Sequence, residues 1–338
     1  MKLTRLLIAG LLAAVSPVHA SDKPEPAYQL PLVSKSVLTD VVRLASGHLI
    51  AVGERGHIIQ STDGTNWQQT QVPVQANLNS VYFVDDTYGW AVGHDATILA
   101  TTDGGQSWKL QQFRPELDKP LFDVFFKDRL NGFAVGAYGL FYTTQDGGES
   151  WRQVWHASFA NAEDSEFLAE LKETEPDSYE QELASVLPHL NRLVVRNQTI
   201  YLVGEAGFWA TSQDFGVSWQ RQPEFYNGSL FAIEQTANGT LIAAGLRGHV
   251  FRSTDLGQQW HAVPLSSPAT LNSVQVNGTE VWLFGNSGAI FHSSDDGVSF
   301  NLVPQTSGKA VLNGVVQGQD LLLVTETGIK TIQQKVAR

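Results

Sequence analysis

Along most of the chain, apolar and polar residues alternate in runs of roughly four to seven, and Gly, Asp and Asn punctuate the runs, as expected for half-buried strands joined by tight turns. One stretch shows the unit: Leu78 to Phe83, Gly89 to Val92, Thr97 to Thr101 and Trp108 to Gln111 read as four strands, with Asp85-Asp86 and Asp103-Gly104-Gly105 in turn positions. The end of its second strand recurs as Val52-Gly53, Val92-Gly93, Val135-Gly136, Val203-Gly204, Ala244-Gly245, Phe284-Gly285 and Val324-Thr325, at intervals of 40, 43, 68, 41, 40 and 40 residues. A repeat of about 40–45 residues with four strands is a propeller blade. The pattern therefore predicts an all-β, seven-bladed β-propeller.

The two ends of the chain bear on ring closure. The last repeat offers only three strands, Val311 to Val316, Asp320 to Val324 and Ile329 to Gln333, whereas Tyr28 to Val33 is a spare strand ahead of the first blade. Pairing the N-terminal strand with the last blade would close the ring and remove its free edges. The long interval carries an insertion between blades 3 and 4 in which the period becomes helical. Phe167, Leu168 and Leu171 share one face, and Tyr179, Leu183, Val186 and Leu187 share another; Pro176 separates the runs, with Asp177 or Ser178 as N-cap. Residues 157–188 thus read as a helical hairpin, acidic on its outer faces, with nine carboxylates against Lys172.

The turn between strands three and four carries the most specific motif. Ser61 to Trp67, Thr101 to Trp108, Thr144 to Trp151, Ser212 to Trp219, Ser253 to Trp260 and Ser293 to Phe300 follow the form S/T-x-D-x-G-x-x-W of the Asp-box, or BNR repeat. Asp63, Asp103, Asp146, Asp214, Asp255 and Asp295 are expected to accept backbone N–H bonds, the glycine to permit positive φ, and the indole to cover the turn. These are structural roles. The first box is one residue short and the last has Phe300 in place of Trp.

Composition narrows the function. There is no cysteine, which excludes thiolate chemistry and disulfides. Residues 1–20 read as a cleaved secretory signal: Lys2 and Arg5, the apolar run Leu6 to Val15, and Val18-His19-Ala20 before Ser21. One propeller then occupies 21–338, exported to the periplasm, soluble and monomeric. Cleavage moves the formal net charge from −12 to −14, a balance that argues against nucleic acid as a partner.

Antiparallel order within a blade places the two-to-three turns and the four-to-one links on one side of the disc, and the Asp-boxes on the other. The insertion, a four-to-one link, shares the first face. Its turns read Glu54-Arg55, His94-Asp95, Ala137-Tyr138, Glu205-Ala206, Leu246-Arg247, Asn286-Ser287 and Glu326-Thr327, and the links add Arg114, Arg221, Glu224, Phe225 and Tyr226. Arginine and aromatic residues suit recognition of a peptide or protein, so Arg55, Arg247, Arg114, Arg221, Tyr138, Phe225, Tyr226 and His94 are the binding candidates. The alternative is a sialidase-like glycoside hydrolase. Arg55, Arg114, Arg247, Tyr138 and Asp95 are its ingredients, but no Tyr-Glu couple is marked and the arginines lie on separate blades. His57, His94 and His249 lack the close spacing of a metal-ligand set, and no cofactor is expected.

The Val-Gly-x-x-Gly strand ends, the Asp-Gly-Gly-x-x-Trp boxes, and Gly53-Glu54-Arg55-Gly56 with its echo Gly245-Leu246-Arg247-Gly248 resemble the photosystem II stability/assembly factor family. The resemblance spans nearly all of the mature chain apart from the insertion. It implies a seven-bladed, non-catalytic propeller that binds a membrane-protein segment or precursor through an arginine-bearing face, with Arg55 and Arg247 the positions carried over. For a bacterial chain it suggests a scaffold serving an envelope complex such as a transporter.

Overall fold

In the computed structural model, which describes residues 24–318 and 320–333, seven antiparallel sheets form a seven-bladed propeller, six of four strands and the last of three. The leader expected at residues 1–20 lies outside the described residues. In each blade strand one is inner, as Leu38–Arg43 is in blade 1, and strand two is buried from end to end, as in Leu49–Gly53, Gly89–Gly93 and Gly132–Gly136. A strand packed on both faces by neighbouring blades reads as a continuous apolar run instead of an alternating one.

Packing explains why Val-Gly recurs. A Cβ on Gly53, Gly93, Gly136, Gly204 or Gly245 would stand 2.0 to 2.2 Å from the backbone carbonyl just ahead of that blade's first strand. In these five blades only glycine lets the chain pass; blade 7 has Thr325 at the position. Every first strand shows a register shift at that point, between Leu38 and Asp40 in blade 1 and between Val311 and Asn313 in blade 7. Such a bulge turns the second residue after it toward a new direction.

The expected N-terminal closing strand does not form. Tyr28 to Leu32 is irregular and Val33–Lys35 is a single 3-10 turn, and among the described residues blade 7 keeps three strands. The segment runs instead along blade 1: Ala27 N–H donates to Val72 O at 2.9 Å, Leu30 N–H to Gln69 Oε1 at 2.8 Å, and Gln69 Nε2 to Tyr28 O at 2.9 Å. Pro31 accounts for the failure, since it sits within the expected strand, removes a ladder donor and restricts Leu30 before it. Closure comes from side chains, with Val33, Leu38, Val41 and Leu49 packed against Val315, Leu322 and Val324.

The insertion is two helices, α1 (Ala162–Thr174) and α2 (Tyr179–Val186). Asn161 caps α1 by accepting from Asp164 N–H at 2.8 Å; Ser178 occupies the cap position of α2 without a side-chain bond. Leu168, Leu183 and Leu187 are buried with Phe133, Phe141, Phe208 and Trp219, while Phe167, expected on the same inner face as Leu168, is 46% exposed. At 100° per residue adjacent positions diverge, and only Leu168 points at the blades.

Candidate functional site

The backbone confirms the division of faces. On one side three two-to-three turns bond to the link that follows: Ala96 N–H to Lys119 O at 2.9 Å, Gly139 N–H to Pro188 O at 2.9 Å, Gly207 N–H to Gly228 O at 2.9 Å. On the other, two box turns bond to the one-to-two turn of their own blade: Gly104 N–H to Thr87 O and Gly147 N–H to Leu130 O, both 2.9 Å.

The six aspartates do the local work expected of them. Asp103 Oδ1 accepts from Ser107 N–H at 2.9 Å and from the Thr101 hydroxyl at 2.8 Å, and Oδ2 from the Ser107 hydroxyl. Asp146, Asp214 and Asp295 repeat the pattern, and Asp255 keeps its backbone half through Gln259 N–H. In the short first box, Asp63 accepts from Thr65 and Asn66 N–H, and Asn66 Nδ2 replaces the serine hydroxyl at 2.8 Å. The serine and backbone donors bring the Asp146 carboxyl down to about 2. These carboxylates are committed to their turns.

On the opposite face the turns share a backbone and differ in side chain. Arg55, Tyr138, Ala206, Arg247 and Ser287 all sit in the left-handed region, with φ between 50° and 58°, at the middle of a 3-10 turn. This geometry holds each side chain out from a fixed base. Arg55 and Arg247 are exposed, and neither joins an ion pair among the described residues. Asn77 links two candidates, its Oδ1 accepting from Arg55 N–H and its carbonyl from His94 N–H, both at 2.8 Å. Arg247 borders a groove of about 520 Å³ between its turn and the link Pro264 to Pro268. The structure does not bring Arg55 and Arg247 together; they stand on blades 1 and 5.

Other candidates prove to be engaged internally. Arg221 donates to Phe159 O at 2.6 Å and to Glu224 Oε1 at 2.7 Å, tying the insertion to blade 4. Phe225 stacks on Trp260 at 4.4 Å and packs on Phe251, so it belongs to the core between blades 4 and 5. Tyr226 reaches His249 Nδ1 through its hydroxyl at 3.3 Å. Arg114 pairs with Glu116. Tyr138, 46% exposed, lies edge-on to His189 at 4.5 Å with Lys119 Nζ 5.3 Å from its ring. Burial lowers the pKa of that lysine.

The sequence reading missed a polar cluster on the inner strands. Arg192 Nη1 approaches Asp40 Oδ2 and Asp123 Oδ1, both at 3.7 Å, and Ser80 Oγ bridges the two carboxylates at 3.1 and 2.9 Å. Asp40 Oδ2 also accepts from Val81 N–H and Asp123 Oδ2 from Leu193 N–H, each at 3.0 Å, and Asn313 donates to Asp40. Burial raises the pKa of Asp123 against the pull of Arg192. Blades 1, 2, 3, 4 and 7 meet in this network. The available signal was a polar residue at the third position of six of the seven first strands, all but Ala232 in blade 5, where a purely apolar core would exclude it.

The family described as photosynthesis system II assembly factor YCF48 matches residues 59–119. The photosystem II assembly lipoprotein Ycf48 of Picosynechococcus is 30% identical over 229 residues, 66% of this chain and 59% of that protein. The chain spans no more than 59% of the length of the curated relatives it matches. A structure of YCF48 bound to D1 peptide superposes with TM-score 0.66 at 20% identity, covering 91% of this chain and 96% of that one. A GH74 xyloglucanase from Xanthomonas campestris shares the fold with TM-score 0.63 at 12% identity, covering 89% of this chain and 52% of the enzyme.

Proposed function

We propose that this chain, a photosystem II assembly factor-like β-propeller, is a non-catalytic scaffold that binds a protein or peptide segment on the face bearing its two-to-three turns. The observation that carries this is the pair of exposed arginines, Arg55 and Arg247, on rigid turns. Arg114, Arg129, Arg192, Arg196, Arg221 and Arg252 are all paired with carboxylates inside the molecule, and the exposed Arg43 and Arg152 lie beside the one-to-two and box turns of the other face, whereas Arg55 and Arg247 keep their donors for a partner on this face. A guanidinium recognises a carboxylate or a chain carbonyl through charge-assisted, often bidentate bonds. The relative solved with a D1 peptide supports a peptide as the ligand class. Export to the periplasm as a monomer, and service to an envelope membrane complex such as a transporter, complete the reading.

Crosslinking in intact cells is expected to capture a discrete envelope protein, and Arg55→Glu with Arg247→Glu to abolish the capture. Deleting 157–188 is not a clean companion test, because Phe159, Leu168, Leu183 and Leu187 belong to the core. Reversing exposed helix charges, Glu170→Lys, Glu173→Lys and Glu180→Lys, probes the hairpin without opening it. Capture that survives both sets of changes places the binding surface elsewhere.

The alternative, a glycoside hydrolase, draws on the shared fold of the xyloglucanase. It requires two carboxyl groups roughly 5–10 Å apart across one bond. Tyr138, its candidate nucleophile, packs on His189 and Lys119. Sugar release from a glycoside panel that disappears with Tyr138→Phe or Asp95→Asn would establish it.

A further inference from the structure

At six blade boundaries the aromatic of one blade's box turn covers the blade before it. Trp67 packs on blade 7, Trp108 on blade 1, Trp151 on blade 2, Trp219 on blade 3, Trp260 on blade 4 and Phe300 on blade 5. Blade 7 has no box and no fourth strand among the described residues, so the boundary between blades 6 and 7 lacks this cover. A groove of about 820 Å³ lies there, lined by Trp282, His292, Leu302, Pro304, Leu321 and Ile332, and Leu302 is 50% exposed.

Two polar observations specify what belongs in the groove. Trp90 and Trp282 occupy the same position in strand two of blades 2 and 6. The Trp90 indole donates to Gly147 O, a carbonyl of the next blade's box turn, at 3.4 Å, whereas the buried Trp282 Nε1 has no partner. The second is the edge of Gly328–Gln333. In the other blades the residue aligned with Ile329 offers its carbonyl to the strand-four side, as Ile58 O accepts from Thr70 N–H, Phe141 O from Val154 N–H and Ile290 O from Val303 N–H. The register of blade 7, Val324 opposite Ile329 and Leu322 opposite Thr331, turns Ile329 and Thr331 outward in the same way.

We propose that this edge is a second binding site, which takes an extended strand of a partner protein by β-augmentation. The strand bonds to the backbone of Ile329 and Thr331, sets an aromatic side chain beside Trp282, and offers a turn carbonyl to the Trp282 indole. The residues outside the described ones, 1–23, 319 and 334–338, contain no Phe, Tyr or Trp, which favours a partner's strand over a segment of this sequence. The site is independent of Arg55 and Arg247.

The probe is a labelled synthetic peptide copying residues 146–155, which hold the turn, the Trp and the fourth strand of blade 3. Titrated into the mature protein, it is expected to protect the Thr331 amide from hydrogen exchange and to shift the Trp282 indole proton. Replacing the Trp151 equivalent by Ala should weaken binding at least ten-fold. Thr331→Pro, which an edge strand tolerates where the N–H faces solvent, should weaken it as much, while Arg55→Glu with Arg247→Glu leaves it unchanged. A second protein variant, Leu302→Asp, should reduce binding from the groove side while leaving the Thr331 backbone intact. An unprotected Thr331 amide at saturating peptide overturns the proposal. So does a Thr331 amide already protected in the free monomer, which means a segment of the chain fills the edge, or one protected only as a second copy associates.

Discussion

The two faces of the disc are built with the same backbone device and use it to opposite ends. Both place residues in the left-handed region: Phe215, Leu256 and Asp296 in the box turns, Arg55, Tyr138 and Arg247 in the two-to-three turns. On the box face the polar side chain of each turn is used up locally, its carboxylate accepting from the backbone and from a neighbouring hydroxyl. On the opposite face the turns are held by backbone bonds and by side chains at their edges, such as Asn77 Oδ1 accepting from Arg55 N–H, and the Arg55 and Arg247 guanidinium groups join no ion pair among the described residues. Repetition of a motif therefore marks the structural face. Variation on an unvarying backbone marks the face available for recognition.

Stability experiments can break that contrast. The largest loss is expected at Trp219, a box indole buried against Phe133, Phe141 and Phe159. Trp219→Ala should cost about 3–5 kcal/mol in urea unfolding, and a loss below 1 kcal/mol would mean that the boxes do not hold the blades.

His156 provides the next effect. It is buried in the same aromatic cluster, and burial brings its pKa down to about 4 from 6.5. Between those values the unfolded chain binds the proton and the folded chain does not, so stability should fall as pH drops from 6.5 toward 4. The loss is on the order of 3 kcal/mol, and His156→Phe should remove this dependence.

A smaller effect is predicted for Asp103→Ala, about 1 kcal/mol from lost turn bonds. The depressed pKa of about 2 at Asp146 and Asp295 means that their contribution is present above the unfolded carboxyl range near ~4 and is lost as pH falls through about 2. Chemical denaturation between pH 5 and 2 should show this as added acid sensitivity. The smallest effect belongs to the other face: Arg55→Glu with Arg247→Glu should leave stability within about 0.5 kcal/mol of the parent. A large loss there would sharpen the comparison by showing that these arginines serve the fold.

Much of this architecture was legible in the residues themselves. The blade period, the box turns and the acidic helical insertion follow from local patterns that each repeat states again. The failures share a cause. Tyr28 to Val33 alternates like a strand, but Pro31 within it denies the ladder a donor. Arg221 and Phe225 have the composition of an interface and are consumed by the core next to them. Arg192, Asp40 and Asp123 come from three blades, and nothing in any one repeat announces that they meet. Contacts between repeats depend on ring geometry, which a single period does not encode.

Capture by crosslinking in intact cells, comparing the parent chain with Arg55→Glu and Arg247→Glu at matched expression and matched thermal stability, tests the central claim most directly. One discrete envelope protein captured by the parent and lost with the double change is the predicted result. Equal capture by both chains would contradict it.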